Sequence, residues 1–279
     1  MKADVQDRSL GFGQDVVVQG RVPGAGARLP VTLEFRRAGD PGWQQVKTVT
    51  THGGGRYRVG AELFRSGAVR VAAGGASARS TDAAVSAVSS ARPVRVRARV
   101  TAGGVRRHVT AGERVKVKGA LKPARSGRTV ALQLRRGGAW RTVDTDRTSG
   151  EGRYRLRQRV TAAESFPARV RFRGDRRNAG AAQRIGRVTA YRFAHASWYG
   201  PGLYGNPMAC GGTLSTGTVG VAHKSLPCGT RLTFRYRGNT VRARVVDRGP
   251  FVAGREFDLT YGLKVALGFG DIGTVKVAS

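Results

Sequence analysis

Acids, cysteine, histidine and aromatic residues are all scarce in this chain. Two Cys and four His among 279 residues leave no spacing for a zinc site, and no metal or cofactor is expected. No stretch approaches the ~18 uninterrupted apolar residues of a membrane span, so no transmembrane segment is expected. The opening MKADVQDRSLGFGQ has one lysine and no apolar h-region, so it does not read as a signal peptide. The chain is then either cytoplasmic, or its export signal lies outside this sequence. Aromatics are only 7% of the chain, which predicts small cores, while the length suffices for two or three domains. Helix-period patterns are nearly missing.

Basic residues are abundant. There are 50 Lys and Arg against 17 Asp and Glu, a formal net charge of +33. GC-rich codons explain Arg over Lys, but not the shortage of acids. A charge this large favours a polyanion: nucleic acid, an anionic cell wall or a membrane surface. The basic residues alternate through strand-like runs such as VRVRARV (94–100) and RYRLRQRV (153–160). Alternation puts them on the solvent face of sheets. No recognition helix, zinc finger or RNA-binding motif accompanies the charge, so no specific nucleic-acid partner is expected.

A repeat runs through the first two thirds. VVVQGRV (16–22) answers VKVKGAL (115–121), and PVTLEFRR (30–37) answers TVALQLRR (129–136). Trp43 answers Trp140, and GRYRV (55–59) answers GRYRL (152–156). Period-two runs between Gly-rich turns predict a β-sandwich in each copy. Leu33, Phe35, Val46 and Tyr57 should face the first core, and Leu132, Leu134, Val143 and Tyr154 the second. FRGDRRNAGA (172–181) resembles a strand-end turn of bacterial immunoglobulin-like modules. TDAAVSAVSSARP (81–93) reads as the last strand of the first copy plus a linker. The repeats contain no catalytic constellation, and the equivalence of the two Trp favours a structural role for them.

Composition changes near Arg187. Strands are expected at VTAYRFA (188–194), GTRLTFRYR (229–237), NTVRARVVD (239–247) and GTVKVAS (273–279), with a helix-like stretch at DLTYGLKVALGF (258–269). Cys210 and Cys228 can form one bridge, which needs an oxidising compartment; the alternative is two buried thiols.

Four strings stand in order here: ASWYGPGLYG, VAHKSLPCGTRL, VVDRGPF and REFDLTYGLKVALGF. Together they resemble the double-psi β-barrel of the rare lipoprotein A family over roughly residues 190–279, and the opening string is similar to that of expansins. The expected fold is therefore mainly β. Two tandem Ig-like sandwiches (13–90 and 91–187) precede a six-stranded double-psi β-barrel with one short helix (188–279).

The resemblance implies an extracytoplasmic cell-wall protein that binds peptidoglycan glycan strands and cleaves them by lytic transglycosylation. Anionic wall polymers are a further expected partner, through the Arg-rich faces. The family's catalytic Asp maps to Asp247 and its His to His223. The family Glu eleven residues before that His is Gly212 here, a departure that leaves open a non-catalytic, expansin-like role. The chemistry tolerates one carboxyl group. It protonates the leaving oxygen and then accepts the proton of the sugar's own C6 hydroxyl, so no water is activated.

Asp247 could alternatively cap its turn, paired with Arg248. His223 would orient Asp247, or else pack in the core. Asp258 resembles the Asp of the expansin HFDL string, or caps the helix. Trp198, Tyr199 and Tyr204 would form a sugar-stacking wall, with Arg248 also binding substrate; the alternative is that the aromatics pack in the barrel.

Overall fold

A computed structural model of the chain describes residues 1–74 and 87–279. In the first sandwich, one sheet holds β1 (Lys2–Val5), β3 (Gln14–Arg21) and β6 (Arg56–Leu63) in the order β1-β3-β6. The facing sheet is built from β2 (Ser9–Leu10), β4 (Pro30–Arg37), β5 (Gln44–Thr50), β7 (Gly67–Ala73) and β9 (Arg92–Val96), in the order β2-β9-β7-β4-β5. A two-residue strand β8 (Ala87–Val88) pairs with β7. Residues 81–86 of the stretch expected to form a last strand and linker lie outside the described residues.

The second sandwich repeats the plan. β10 (Arg99–Arg106), β12 (Arg114–Lys122) and β15 (Arg153–Arg159) form one sheet. β13 (Thr129–Arg136), β14 (Ala139–Arg147), β16 (Ser165–Gly174) and β17 (Ala179–Tyr199) form the other, with β11 (His108–Thr110) parallel to β17. Alternating apolar residues meet between the sheets: Val16, Val18, Leu33 and Val71 in the first core, Val115, Val117, Leu132 and Val170 in the second.

The repeat has a packing cause. Gly20 pairs with Tyr57, and Gly119 with Tyr154. Each Tyr lies across its Gly, and a methyl at Gly119 would collide with the Thr101 carbonyl oxygen and the Tyr154 hydroxyl. Trp43 lies under the Arg70 guanidinium at 4.2 Å, which donates to Glu34 at 2.6 Å. Trp140 lies under Arg169 at 4.2 Å, which donates to Gln133 at 2.8 Å. The two Trp are thus equivalent brackets on equivalent sheets.

Val46 departs from expectation: it is 39% exposed. Leu33 pairs with Lys47 and Glu34 with Gln45, so Val46 is the extra residue of a β-bulge and turns off the core face. Val143 occupies the same bulge in the second copy, between the partners of Leu132 and Gln133, and is half-buried at the core edge.

The cores also divide the chain differently from 13–90, 91–187 and 188–279. The first runs from Val5 to Val96, the second from Ala98 to Ala190, and the third from Ala194 to Val277. β1, β2 and β9 bury Val5, Leu10, Val94 and Val96 in the first core, which carries both of its limits outward.

The C-terminal unit adds β18 (Gly220–Ala222), β19 (Arg231–Tyr236), β20 (Asn239–Asp247), β21 (Phe257–Thr260) and β22 (Ile272–Ala278). Starting from the second half of β17, pairing runs β17-β21-β18-β20-β19-β22, and β22 pairs back onto β17. Six strands thus each have two neighbours, with parallel contacts at β17–β21 and β18–β20. The helix α1 is shorter than its pattern, Tyr261–Leu267. Asp258 lies in β21, and Thr260 is the N-cap. The Thr260 hydroxyl also donates to the carbonyl of Thr218 at 2.6 Å, so the cap pins the 218–220 segment. Leu263 and Leu267 are the face of α1 buried in the third core. No helix among the described residues is long and apolar enough to cross a membrane.

Candidate active site

The site grows from one row of the sheet. Ser197 on β17 pairs with Asp258 on β21; Asp258 pairs with Ala222 on β18; Ala222 pairs with Asp247 on β20. Residues directly opposite across strands share a face, so the two carboxylates point to the same side. Two strands apart, their Cα atoms are roughly 9–10 Å from each other. Ala222 between them is small and buried.

Asp247 is held from three directions. Its Oδ1 accepts the N–H of Ala209 at 2.9 Å and of Arg248 at 2.8 Å. Among the described residues its Oδ2 accepts only the Tyr199 hydroxyl, at 3.2 Å. The phenol pKa of Tyr199 is raised by burial first, then by the charge of Asp247 and, further off, of Asp258. Tyr199 is therefore a neutral hydroxyl at neutral pH, able to donate to a carboxylate or to accept from a carboxylic acid. Asp258 accepts from the Ser197 hydroxyl, which also receives Arg255 at 3.2 Å.

His223 is near this row without touching the Asp247 carboxylate. Its main-chain N–H donates to the Asp247 carbonyl at 3.1 Å. Its Nδ1 accepts the N–H groups of Ser225 at 3.1 Å and Leu226 at 3.0 Å. In the neutral ring the proton is then on Nε2, which faces Glu256 at 3.8 Å. Burial lowers the His223 pKa, and Arg192, Arg248 and Lys224 add to that against the opposing pull of Glu256. Glu256 is meanwhile paired with Arg192. The expected His223–Asp247 side-chain bond is thus replaced by a His223–Glu256–Arg192 cluster that fixes the 223–226 turn.

Arg248 is similarly turned inward. Its guanidinium donates to the carbonyls of His223 at 3.3 Å and Leu226 at 3.1 Å, and lies 3.2 Å from the Cys228 sulfur. Those contacts hold the turn rather than a ligand. Cys210 and Cys228 are bridged. The bridge sits one residue from Ala209, whose N–H reaches Asp247, so it anchors one wall of the site.

The three aromatics do not share one wall. Neighbours along a strand point to opposite faces, so Trp198 and Tyr199 diverge. Trp198 donates to Asp271 at 2.8 Å, carries the Lys264 ammonium 3.8 Å over its ring, and sits 5.8 Å from Tyr261. Tyr199 belongs to Asp247. Tyr204 folds its hydroxyl back over Gly200, where a side chain would clash. An aromatic that sequence reasoning passed over is Phe251, 84% exposed in the turn after Asp247. It lies in the string VVDRGPF, but nothing in the sequence signals that its ring is left open to solvent. Ser197, Arg255 and Glu256 stand within the motif strings but carry no signal of their own, because only the fold brings Ser197 and Arg255 to Asp258, and Glu256 to His223. Gly212, at the position of the family Glu, has φ +79°, a left-handed conformation in which a Glu would be strained.

Comparisons with known proteins fall on this unit. A family described as "Lytic transglycolase" matches residues 193–279. The "Probable endolytic peptidoglycan transglycosylase RlpA" of Synechocystis is 42% identical over 85 residues, which is 30% of this chain and 26% of that protein. The "Endolytic peptidoglycan transglycosylase RlpA" of Pseudomonas aeruginosa is 40% identical over 91 residues, 32% of this chain and 27% of that protein. The chain thus spans about a quarter of the length of these curated relatives. A solved structure of a tandem repeat in the extending region of a large adhesion protein covers 91% of this chain and 65% of its own, at 14% identity and a TM-score of 0.33, too low to carry an argument. The six-strand pairing, the motif row and these relatives agree that the C-terminal third is similar to the double-psi β-barrel domain of RlpA proteins, and two β-sandwiches precede it.

Proposed function

We propose that the barrel binds peptidoglycan glycan strands and cleaves the MurNAc–GlcNAc bond by lytic transglycosylation, outside the cytoplasm. The observation that carries this reading is the row Asp247–Ala222–Asp258–Ser197, which gathers one residue from each of the four motif strings on one face. Asp247 is the reacting carboxyl group. Its Oδ1 is occupied by two backbone N–H groups, so the mobile proton belongs on Oδ2, beside Tyr199. Oδ2 gives that proton to the leaving O4 as the C1–O4 bond breaks. It then takes the proton of the C6 hydroxyl as the new C1–O6 bond closes the anhydro ring. Tyr199 follows the change, accepting from the acid and donating to the carboxylate. Asp258 flanks the sugar, and His223 and Arg248 are positioning residues. The disulfide supports an oxidising compartment. The Arg-rich faces of the sandwiches would hold the protein to anionic wall polymers.

The test is a digest of purified peptidoglycan, intact and stripped of stem peptides, read by mass spectrometry. Wild type should release 1,6-anhydro-muramyl ends. Asp247→Asn should release them about a hundredfold more slowly or not at all, as expected for loss of a general acid. One observation favours a second reading: the left-handed Gly212 replaces a carboxylate. A wild type that pellets with sacculi yet yields no soluble product would establish a binding module instead.

A further inference from the structure

The seam between the two sandwiches is hydrogen-bonded and basic. The N–H of Ser66 donates to the carbonyl of Arg177 at 2.7 Å. The buried amide of Asn178 donates to the carbonyl of Phe64 at 2.9 Å and of Val96 at 3.3 Å. Two cavities open along this seam, and a third, within the second sandwich, adjoins them. The first, of about 230 Å³, is lined by Arg37, Arg65 and Arg177. The second, of about 470 Å³, shares Ser66 with it and adds Arg95, Arg173 and Arg176. The third, of about 680 Å³, shares Arg173 and Asp175 with the second and adds three more arginines.

Counter-charge is nearly lacking. Asp40 and Asp175 are the acids on these walls. Asp175 is already paired with Arg128 at 2.9 Å and accepts two backbone N–H groups. Among the described residues, Arg128 is the one arginine of the track with an ion-pair partner. Arg65 is half-buried, and its pKa is lowered by burial first and then by the charges of Arg177, Arg37, Arg125 and Arg128. A guanidinium remains charged under such shifts, so the seam holds positive charge with open hydrogen-bond forks.

We propose that this seam is a binding track for a linear polymer of phosphodiester-linked polyols, with the Arg37–Arg65–Arg177 cavity seating one phosphate. Guanidinium forks match phosphate oxygens bidentately, and adjoining cavities suit repeated anionic groups on a flexible chain. Nucleic acid carries the same phosphate but is disfavoured. Single-strand binders stack bases on aromatic side chains, and the aromatic on these walls, Phe172, is buried beneath Arg128. The proposal deepens the reading of the Arg-rich faces given above and is independent of the barrel's chemistry.

The experiment is a calorimetric titration of the full chain with synthetic poly(glycerol phosphate), with inorganic phosphate as competitor. Arg65→Gln and Arg177→Gln should each weaken binding by about tenfold, the loss of one charge-assisted hydrogen bond. Among the described residues the Arg177 side chain has no hydrogen-bond partner, so that variant tests the site if Arg65→Gln fails to fold. Arg244→Gln removes the same charge from an exposed position on β20 of the barrel, outside the track, and should change affinity less than about twofold. Inorganic phosphate should displace the polymer from wild type. Equal losses in all three variants would overturn the track and leave only a diffuse effect of net charge. Tighter binding to duplex DNA than to the polymer at matched salt would assign the seam to nucleic acid and overturn the proposal. No binding by wild type would overturn both the track and the wider role of the Arg-rich faces.

Discussion

Asp247 does not act alone at the scale of single residues: Ala209 and Arg248 hold one oxygen by backbone N–H groups, and the Tyr199 hydroxyl meets the other, the reacting one in the proposed mechanism. Phe251, four residues after Asp247, is an exposed ring. Phe251→Ala should leave thermal stability unchanged, because the side chain is 84% exposed. It should weaken sacculus binding about fivefold, roughly 1 kcal/mol of aromatic contact, measurable by pelleting. His223 supplies a pH dependence. Its folded pKa lies below the ordinary 6.5, so the unfolded chain binds a proton first as pH falls. Its stabilising contribution is complete above pH 6.5 and is lost as pH drops through the lowered folded value. Urea melts from pH 7.5 downward should show stability declining below about 6.5. The decline should be shallower in His223→Gln. It should not vanish, because burial together with Arg235 and Arg107 lowers the His108 pKa in the same direction.

At the scale of elements, the site depends on how loops are tied to strand ends. The loop from Gly200 to Val219 carries the Ala209 donor, and the bridge Cys210–Cys228 fixes it to the turn that His223 and Arg248 organise. The bridge closes 18 residues of sequence separation. Replacing both Cys by Ser should cost about 3 kcal/mol by the chain-entropy account. Activity on glycan should fall even at temperatures where the barrel stays folded, since Ala209 loses its anchor. Chemical denaturation beside product release by the same variant would separate the two effects. Much at this scale was legible. The two-copy repeat and the strands of the barrel's second half follow from spacing and alternation; the pairing of Gly with Tyr and the choice of a bridge over two buried thiols do not. β18 and β21 were not, because strands of three and four residues carry too little period-two pattern to be seen. Val46 was misplaced for a related reason: a bulge breaks the alternation without changing the composition.

The whole molecule is joined more tightly than its composition shift near Arg187 suggests. β17 runs unbroken for 21 residues, from Ala179 in the second sandwich to Tyr199 in the barrel. Ser279 exchanges main-chain hydrogen bonds with Ala163 and Ser165, and His108 meets the Tyr191 hydroxyl at 2.9 Å. Shared strand and shared core edges predict that the second sandwich and the barrel unfold as one cooperative unit. Scanning calorimetry should show fewer transitions than three, with hydrogen exchange across residues 186–194 as slow as in the barrel strands. A separate, earlier melting of the barrel would contradict this.

By itself the sequence determined the mainly β class, the two-copy repeat, the barrel motifs in order and the excess of positive charge. Those properties rest on periodicity, spacing and composition, which are local. Only the tertiary structure decided that Asp247 and Asp258 share a row, that His223 turns to Glu256, and that Trp198 and Tyr199 face apart. It alone also gathered arginines from residues 37 to 177 along one seam. Each of these depends on strand register and on which side chains meet across the fold, and neither is set by neighbours in the chain.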